Sequence, residues 1–278
     1  MLRIQNHAKS KMNTTQSHHV LLFEGGTDQA YEQELIGEEP LLIRVEGRPY
    51  SVVMRTPGDE IFHVAGFCLG EGLVDEPEDF ATVGYCNQLG SNVATVTLQP
   101  ARRKKVQALL ERRGFISQTS CGICGKELIK DLCQVLFPTT DKTKIDITQA
   151  LECVNQFSLH QDLYKKTASS HAAMIFDSEL RFMTVGEDVG RHNALDKAIG
   201  KAFMGRHLGK ACLAVLSSRI SYELVQKAAR AHLPILLSIS RPTSLAVELG
   251  RSLNMTLACI SKKNGLLVFC GEERLYRG

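Results

Sequence analysis

The stretch CLAVLSSRISYELVQKAARAHLPILLSISRPTSLAVELGRSLNMTLACI, residues 212–260, sets the fold class. Its apolar runs Cys212–Leu216, Pro234–Ser238 and Met255–Ile260 have the length and content of buried strands. Between them, Tyr222–His232 and Ser244–Leu253 carry apolar residues at helical spacing. Upstream, Ala172–Phe176 and Arg181–Val185 flank Asp177-Ser178 as a hairpin. Gly190–Met204 then repeats Ala194, Leu195, Ala198, Ile199, Ala202 and Phe203 down one helix face, and Leu266–Cys270 supplies a last strand. Strands alternating with helices predict an α/β fold, a mixed and mostly parallel sheet with helices on its faces.

Toward the N-terminus the texture changes. A helix is expected over Ile147–Phe157, after the break at Pro138-Thr139-Thr140-Asp141, and another from Lys126, with Leu128, Leu132, Val135 and Leu136 in register. Gly114–Gly125 is a Gly-, Ser- and Thr-rich loop, and 102–113 a basic helical run that the bland reading makes a solvated face. Leu41–Met54 forms two β-rich pieces around Glu46-Gly47-Arg48-Pro49. Pro57-Gly58-Asp59 opens a helix over Glu60–Glu71, and Ala81–Cys86 and Asn92–Leu98 read as strands. The organisation expected is a flexible tail over 1–19, a small α+β domain over 20–113, and a cysteine loop plus α/β domain over 114–278.

A chain of 278 residues can bury a core without disulfide or metal staples. Its 44% hydrophobic and 23% charged residues exclude disorder, collagen-like sequence and a multi-span membrane protein. A net charge of +3 and the absence of Trp argue against nucleic acid as the main partner. No segment approaches the ~20 apolar residues of a membrane span. Met1–Val20 has no apolar centre like that of a secretory signal, so a cytoplasmic location is expected, with thiols kept reduced. Seven of the nine cysteines stand singly (Cys68, Cys86, Cys133, Cys153, Cys212, Cys259, Cys270), mostly in apolar runs that suit small buried hydrophobes.

Cys121 and Cys124 alone form a motif, Thr119-Ser120-Cys121-Gly122-Ile123-Cys124-Gly125, just before the helix expected from Lys126. A helix start and the upstream basic run would favour a thiolate there. Such a pair suits sulfur-centred nucleophilic chemistry or thiol–disulfide exchange; half of a zinc site is the rival reading. No second C-x-x-C or H-x₃₋₅-H completes four ligands, so no structural metal is expected. A thioredoxin-like pair would follow a strand in a βαβ unit, whereas this one follows a basic helix and an irregular loop.

The second polar cluster is Glu187-Asp188-Val189-Gly190-Arg191-His192-Asn193, at a strand-to-helix junction. The acidic pair could simply cap the helix, but Arg191 and His192 in its first turn oppose the dipole and suit a ligand. Ser217-Ser218-Arg219 and Ser240-Arg241-Pro242-Thr243-Ser244 also follow strands and open helices, as ordinary N-caps or as phosphate sites. Lys262-Lys263-Asn264-Gly265 is either a solvated hairpin turn or positive charge beside the same edge. Together these make the carboxyl edge of the sheet the default ligand crevice.

In their order and spacing the motifs resemble the formate dehydrogenase accessory sulfurtransferases, the FdhD family. The resemblance runs from Glu39-Pro40 to the C-terminus through Gly66-Phe67, Glu71-Gly72, Cys121-Gly122-Ile123-Cys124-Gly125, Thr167–Ala173, Glu187–Lys197 and Ser217-Ser218-Arg219-Ile220-Ser221-Tyr222-Glu223. It implies a sulfurtransferase: a cysteine desulfurase loads a persulfide, which passes to the molybdenum cofactor of formate dehydrogenase. Cys121 matches the persulfide position and Cys124 its partner. The bis(molybdopterin guanine dinucleotide) form of the cofactor is the implied bound substrate, with GDP as a mimic. Its binding stretch maps onto Ile260-Ser261-Lys262-Lys263-Asn264-Gly265, where relatives tend to have an aromatic first and Gly-Arg last. His171, Ser217, Ser218, Arg219, Arg191 and His192 complete the expected cofactor-binding set, and a homodimer is the expected assembly. The implied fold of the C-terminal domain is a cytidine deaminase-like α/β/α sandwich. Ala173 stands where a deaminase has its Glu, and no Pro-Cys-x-x-Cys follows, so zinc-water deamination is excluded.

Two other functions compete: a thiol–disulfide oxidoreductase using the same cysteines, and a non-catalytic chaperone holding the molybdenum cofactor. A reduction potential with an insulin-reduction assay separates the first. Indifference to loss of Cys121 marks the second.

Overall fold

The computed structural model describes residues 2–7, 13–87, 92–112, 136–262 and 265–278. Cys121, Cys124, Lys263, Asn264 and the helix expected from Lys126 lie largely or wholly outside the described residues. Strands β1 (Arg3–His7), β4 (Glu39–Val45), β5 (Arg48–Arg55), β6 (Phe80–Cys86) and β7 (Val93–Leu98) form one sheet in the order β1-β6-β7-β4-β5. Strands β2 (Thr15–Glu24) and β3 (Thr27–Ile36) form a separate hairpin. The period-2 pattern explains the larger sheet: Leu41, Ile43 and Val45 of β4 and Ala94, Val96 and Leu98 of β7 point into the core. Residues 1–19, expected as a tail, instead supply β1, parallel to β6, and the first half of β2. These strands are largely exposed and held by backbone pairing, so no apolar pattern marks them.

The C-terminal half builds the larger sheet from β9 (His171–Asp177), β10 (Phe182–Asp188), β11 (Ala211–Leu216), β12 (Ile235–Ser238), β13 (Thr256–Ile260) and β14 (Leu266–Cys270). Its order is β10-β9-β11-β12-β13-β14. Only β11–β12 and β12–β13 run parallel. The mostly parallel sheet expected is therefore corrected to a parallel centre with antiparallel flanks. The hairpins β9–β10 and β13–β14 impose this, because a short turn can join only antiparallel strands. A small ladder, β8 (Ile145–Asp146) with β15 (Leu275–Tyr276), sits apart.

Alternate residues of the large sheet enter two cores. Ala173, Ile175, Ala214, Leu216 and Leu236 pack with Leu195, Ile199, Leu224 and Val225 of helices Arg191–Met204 and Tyr222–Arg230. Met174, Phe176, Val215 and Leu237 pack with Ala150, Cys153 and Val154 of helix Ile147–Asn155. The result is the expected α/β/α sandwich. Helix Glu60–Gly70, buried on nearly every side, lies against helix Arg191–Met204 and carries the first core into the five-stranded sheet. The two helices approach at glycines: a Cβ on Gly200 would stand 1.8 Å from the Phe62 carbonyl oxygen, and one on Gly66 1.9 Å from that of Asp196.

Candidate functional site

Register places one set of strand ends along a single edge. Asp188 of β10 pairs with His171 of β9, Leu216 of β11 with Ser238 of β12, and Ile260 of β13 with Leu266 of β14. Helices Arg191–Met204, Tyr222–Arg230 and Ser244–Ser252 begin just after β10, β11 and β12, so their N-termini open on this edge. Free N–H groups and the positive dipole ends favour an anion there.

His171 and Ser217 meet at the middle of the edge, with Nδ1 3.4 Å from Oγ. The Ser217 hydroxyl accepts from the Ala172 N–H at 2.8 Å. Burial lowers the His171 pKa, Arg191 and His192 push the same way, and Asp188 opposes them. Arg191 is half-buried, and its Nε, shielded from solvent, has no hydrogen-bond partner among the described residues. His192 Nε2 lies 3.2 Å from Ser221 Oγ and 3.7 Å from Glu223 Oε2. The imidazole beside it holds the Glu223 carboxyl down to about 2, against burial. Ser218 is buried and donates to the Arg219 carbonyl at 3.1 Å, while the Arg219 side chain is exposed.

Ile260 and Ser261 lie farther along the same edge. The Ser261 N–H donates to the Gly265 carbonyl at 2.7 Å, and the Gly265 N–H to Ser261 Oγ at 3.1 Å, closing the turn that carries exposed Lys262. Three strand spacings of ~4.8 Å separate β9 from β13, so the two groups stand roughly 15 Å apart. Ser240 and exposed Arg241 follow β12, between them. The set is compatible with an extended phosphate-bearing ligand: an orphaned guanidinium N–H, exposed cations and three helix N-termini share one edge.

The acidic pair of the second cluster works elsewhere. Glu187 accepts from the Leu163 and Tyr164 N–H groups at 2.9 and 3.1 Å, capping helix Asp162–Thr167, and from Ser170 Oγ at 2.9 Å. Asp188 is fully buried, 2.7 Å from Lys197 Nζ, and accepts from the N–H groups of Gly190 and Thr56. Lys197 also donates to the Thr56 carbonyl at 2.8 Å, and Asn193 to that of Met54 at 2.7 Å. This cluster fastens the end of β5 to helix Arg191–Met204 and leaves Arg191 and His192 to the edge. Sequence reasoning did not pick Ser221 and Glu223 as site residues. Their signal was a serine and an acid opening the helix that follows Arg219.

Cys68, Cys153, Cys212, Cys259 and Cys270 are buried and free. Burial pushes these thiols up, Cys153 and Cys212 to about 12, so they are poor nucleophiles. Among the described residues, no cluster of His, Cys, Asp and Glu could hold a metal, and no helix is long and apolar enough to cross a membrane.

Fold and edge define the class: an α/β/α sandwich whose strand ends gather cations and helix N-termini. Within it, the chain belongs to the FdhD/NarQ family, which matches residues 36–276. It is 32% identical over 269 residues to the sulfur carrier protein FdhD of Streptomyces coelicolor, covering 94% of this chain and 95% of that one. To the protein of the same name from Mycobacterium tuberculosis it is 38% identical over 256 residues, 87% and 92% of the two chains. A crystal structure from Desulfotalea psychrophila, named for a formate dehydrogenase accessory role, superposes with a TM-score of 0.74 at 23% identity, over 95% of this chain and 100% of that one. That likeness shows the fold.

Proposed function

We propose that this chain is a sulfur carrier that takes sulfur from a cysteine desulfurase as a persulfide on Cys121 and delivers it to the molybdenum cofactor of formate dehydrogenase. The observation that carries the reading is family membership along nearly the whole chain, with curated relatives named as sulfur carriers. The Cys121-x-x-Cys124 motif supplies the chemistry, and the buried thiols among the described cysteines are too poorly ionised to replace it. In loading, the Cys121 thiolate attacks the outer sulfur of the desulfurase persulfide, and the desulfurase cysteine leaves as thiolate. In delivery, the Cys124 thiolate attacks Cys121 Sγ. A Cys121–Cys124 disulfide forms, and the outer sulfur leaves as hydrosulfide with the bonding electron pair. A dithiol reductant then restores both thiols.

The cofactor, as cargo, supplies the metal that accepts this sulfur. His171, Arg191, His192, Ser217, Ser218 and Arg219, with the 260–265 turn, would hold its guanine-nucleotide phosphates at the sheet edge.

Intact-protein mass after incubation with a cysteine desulfurase and cysteine tests the assignment. The parent should gain the mass of one sulfur atom, lost again on reduction. Cys121→Ala should gain none, and Cys124→Ala should load but transfer slowly. Equal loading of Cys121→Ala and the parent removes Cys121 from this role. A Cys121→Ala protein that still supports formate dehydrogenase would favour the chaperone reading.

A further inference from the structure

Glu223 is out of place at an edge that gathers cations. In the strand ends and the first turns of the three helices that open there, it is the one exposed carboxylate among the described residues. Glu187 is spent on the Leu163 and Tyr164 N–H groups, and Asp188 is buried against Lys197. The Glu223 side chain is 60% exposed, with Oε2 3.7 Å from His192 Nε2. So exposed an ion pair adds little to stability. An acid in the first turn of a helix is ordinary. One that stands among groups suited to phosphate is not, because it repels that ligand.

Guanine supplies a reason for it. Its Watson–Crick edge carries two neighbouring donors, N1–H and the 2-amino group, and an ionised carboxylate is acceptor-only, with two oxygens to meet them. The charge on Glu223 is secure at neutral pH, since the imidazole holds the carboxyl down to about 2. Flat groups stand in the same corner. Arg191 and His192 both act electrostatically on the His171 ring, which lies 3.4 Å from Ser217 Oγ. Unpaired bases stack on imidazole rings and guanidinium planes while hydrogen bonds read their edges.

We propose that Glu223 reads the guanine base of the cargo nucleotide, accepting N1–H and a 2-amino N–H on its two carboxylate oxygens while His192 steadies it. This assignment rests on the cargo reading above and narrows it: the corner around His192 takes the base, and the phosphates run toward exposed Arg219, Arg241 and Lys262. A carboxylate there selects against the other purines. Hypoxanthine keeps N1–H but lacks the 2-amino group. Adenine presents a lone pair at N1, and xanthine a carbonyl in place of the amino group; a carboxylate repels both.

Calorimetry of the parent and Glu223→Gln with GDP and with the inosine, xanthosine and adenosine diphosphates tests the assignment. The parent should bind GDP about tenfold or more tightly than inosine diphosphate, which forfeits one charge-assisted hydrogen bond. The xanthosine and adenosine diphosphates should bind more weakly still. In Glu223→Gln the amide oxygen still accepts from N1–H, but the amide nitrogen faces the 2-position as a donor. GDP should therefore weaken by about tenfold or more and lose its advantage over inosine diphosphate. Xanthosine diphosphate should strengthen, because its 2-carbonyl accepts from the amide, and misfolding cannot produce that gain. A parent that binds GDP and inosine diphosphate equally overturns the proposal, as does a Glu223→Gln that keeps the preference. Equal weakening of the guanosine, inosine and xanthosine diphosphates would mean that Glu223 only steadies His192, and overturns it too. A parent that binds none of the four overturns the cargo reading of the edge itself, and the base assignment falls with it.

Discussion

His63 is an imidazole packed inside a cationic neighbourhood. Its ring is fully buried in helix Glu60–Gly70, Lys197, Lys227 and Arg55 surround it, and the Asn193 side chain is its polar neighbour. Burial first, and these cations second, hold its pKa well below the ordinary histidine value. As pH falls, the unfolded chain therefore takes up a proton that the folded chain refuses, and stability rises with pH up to about 6.5. The contribution is complete above that value and is lost as pH falls below it, at up to ~1.4 kcal/mol per pH unit. Chemical denaturation of the parent between neutral and mildly acidic pH should show this slope. His63→Gln should flatten it, and His171→Gln should remove a further part, since His171 is shifted in the same direction. Identical slopes in parent and His63→Gln would show that His63 titrates normally. At this scale the sequence was a partial guide. Arg191 and His192 stood out because cations oppose a helix start, and both face the edge. Glu187 and Asp188 looked like caps of the same helix, yet Glu187 caps a helix some twenty-five residues earlier in the chain.

The legible elements were those that bury one face. Apolar runs and helical stripes marked β9 to β14 and helices Arg191–Met204, Tyr222–Arg230 and Ser244–Ser252 to within three residues, because a core enforces those periods. The β2–β3 hairpin was missed because neither face is buried. Its signal was local: Gly25 and Gly26, at φ +60 and +82, are the two-residue turn that reverses a tight hairpin. Helix Asp162–Thr167 was missed for the opposite reason, since a remote carboxylate rather than a local cap starts it. Pairing direction was misjudged because periodicity cannot separate a hairpin from a crossover. Helix contacts also carry a prediction. Gly200→Ala would place a methyl 1.8 Å from the backbone oxygen of Phe62, which cannot turn aside, so the two helices must separate. Overpacking of this kind costs roughly 1–3 kcal/mol or more. A thermal melt should show the loss for Gly200→Ala and almost none for Gly209→Ala, where an added Cβ meets nothing within 4 Å. Equal melting of the two variants would mean that the helices adjust freely.

At the scale of the molecule, helix Glu60–Gly70 and the Asp188–Lys197 pair join the N-terminal sheet to the sandwich, and one core runs through both. The strand-end edge is thus mounted on a continuous core, in a chain whose net charge is only +3. Attraction for an anion must come from local placement rather than from the overall field. Local placement is what the edge offers: Arg219 and Arg241 exposed at the starts of successive helices, Lys262 beyond them, and Arg191 with an N–H that lacks a partner among the described residues. If this edge holds the guanine-dinucleotide cargo, GDP should bind it, and the arginines should act on affinity separately from the sulfur chemistry. Arg219→Ala removes a charge-assisted phosphate contact of ~1.5–3 kcal/mol, about tenfold or more in affinity. Arg191→Gln should weaken GDP as well. Neither variant should change persulfide loading by the desulfurase, because loading requires the Cys121 thiolate and not the nucleotide edge. Calorimetry with GDP, run beside the intact-mass assay, keeps the two properties apart. A parent that gives no heat with GDP removes the edge as a nucleotide site while leaving Cys121 untouched. A parent that binds GDP, with both variants equal to it, places the phosphates away from Arg191 and Arg219. A variant that loses loading together with GDP would show that the edge and the cysteine motif act as one site rather than two.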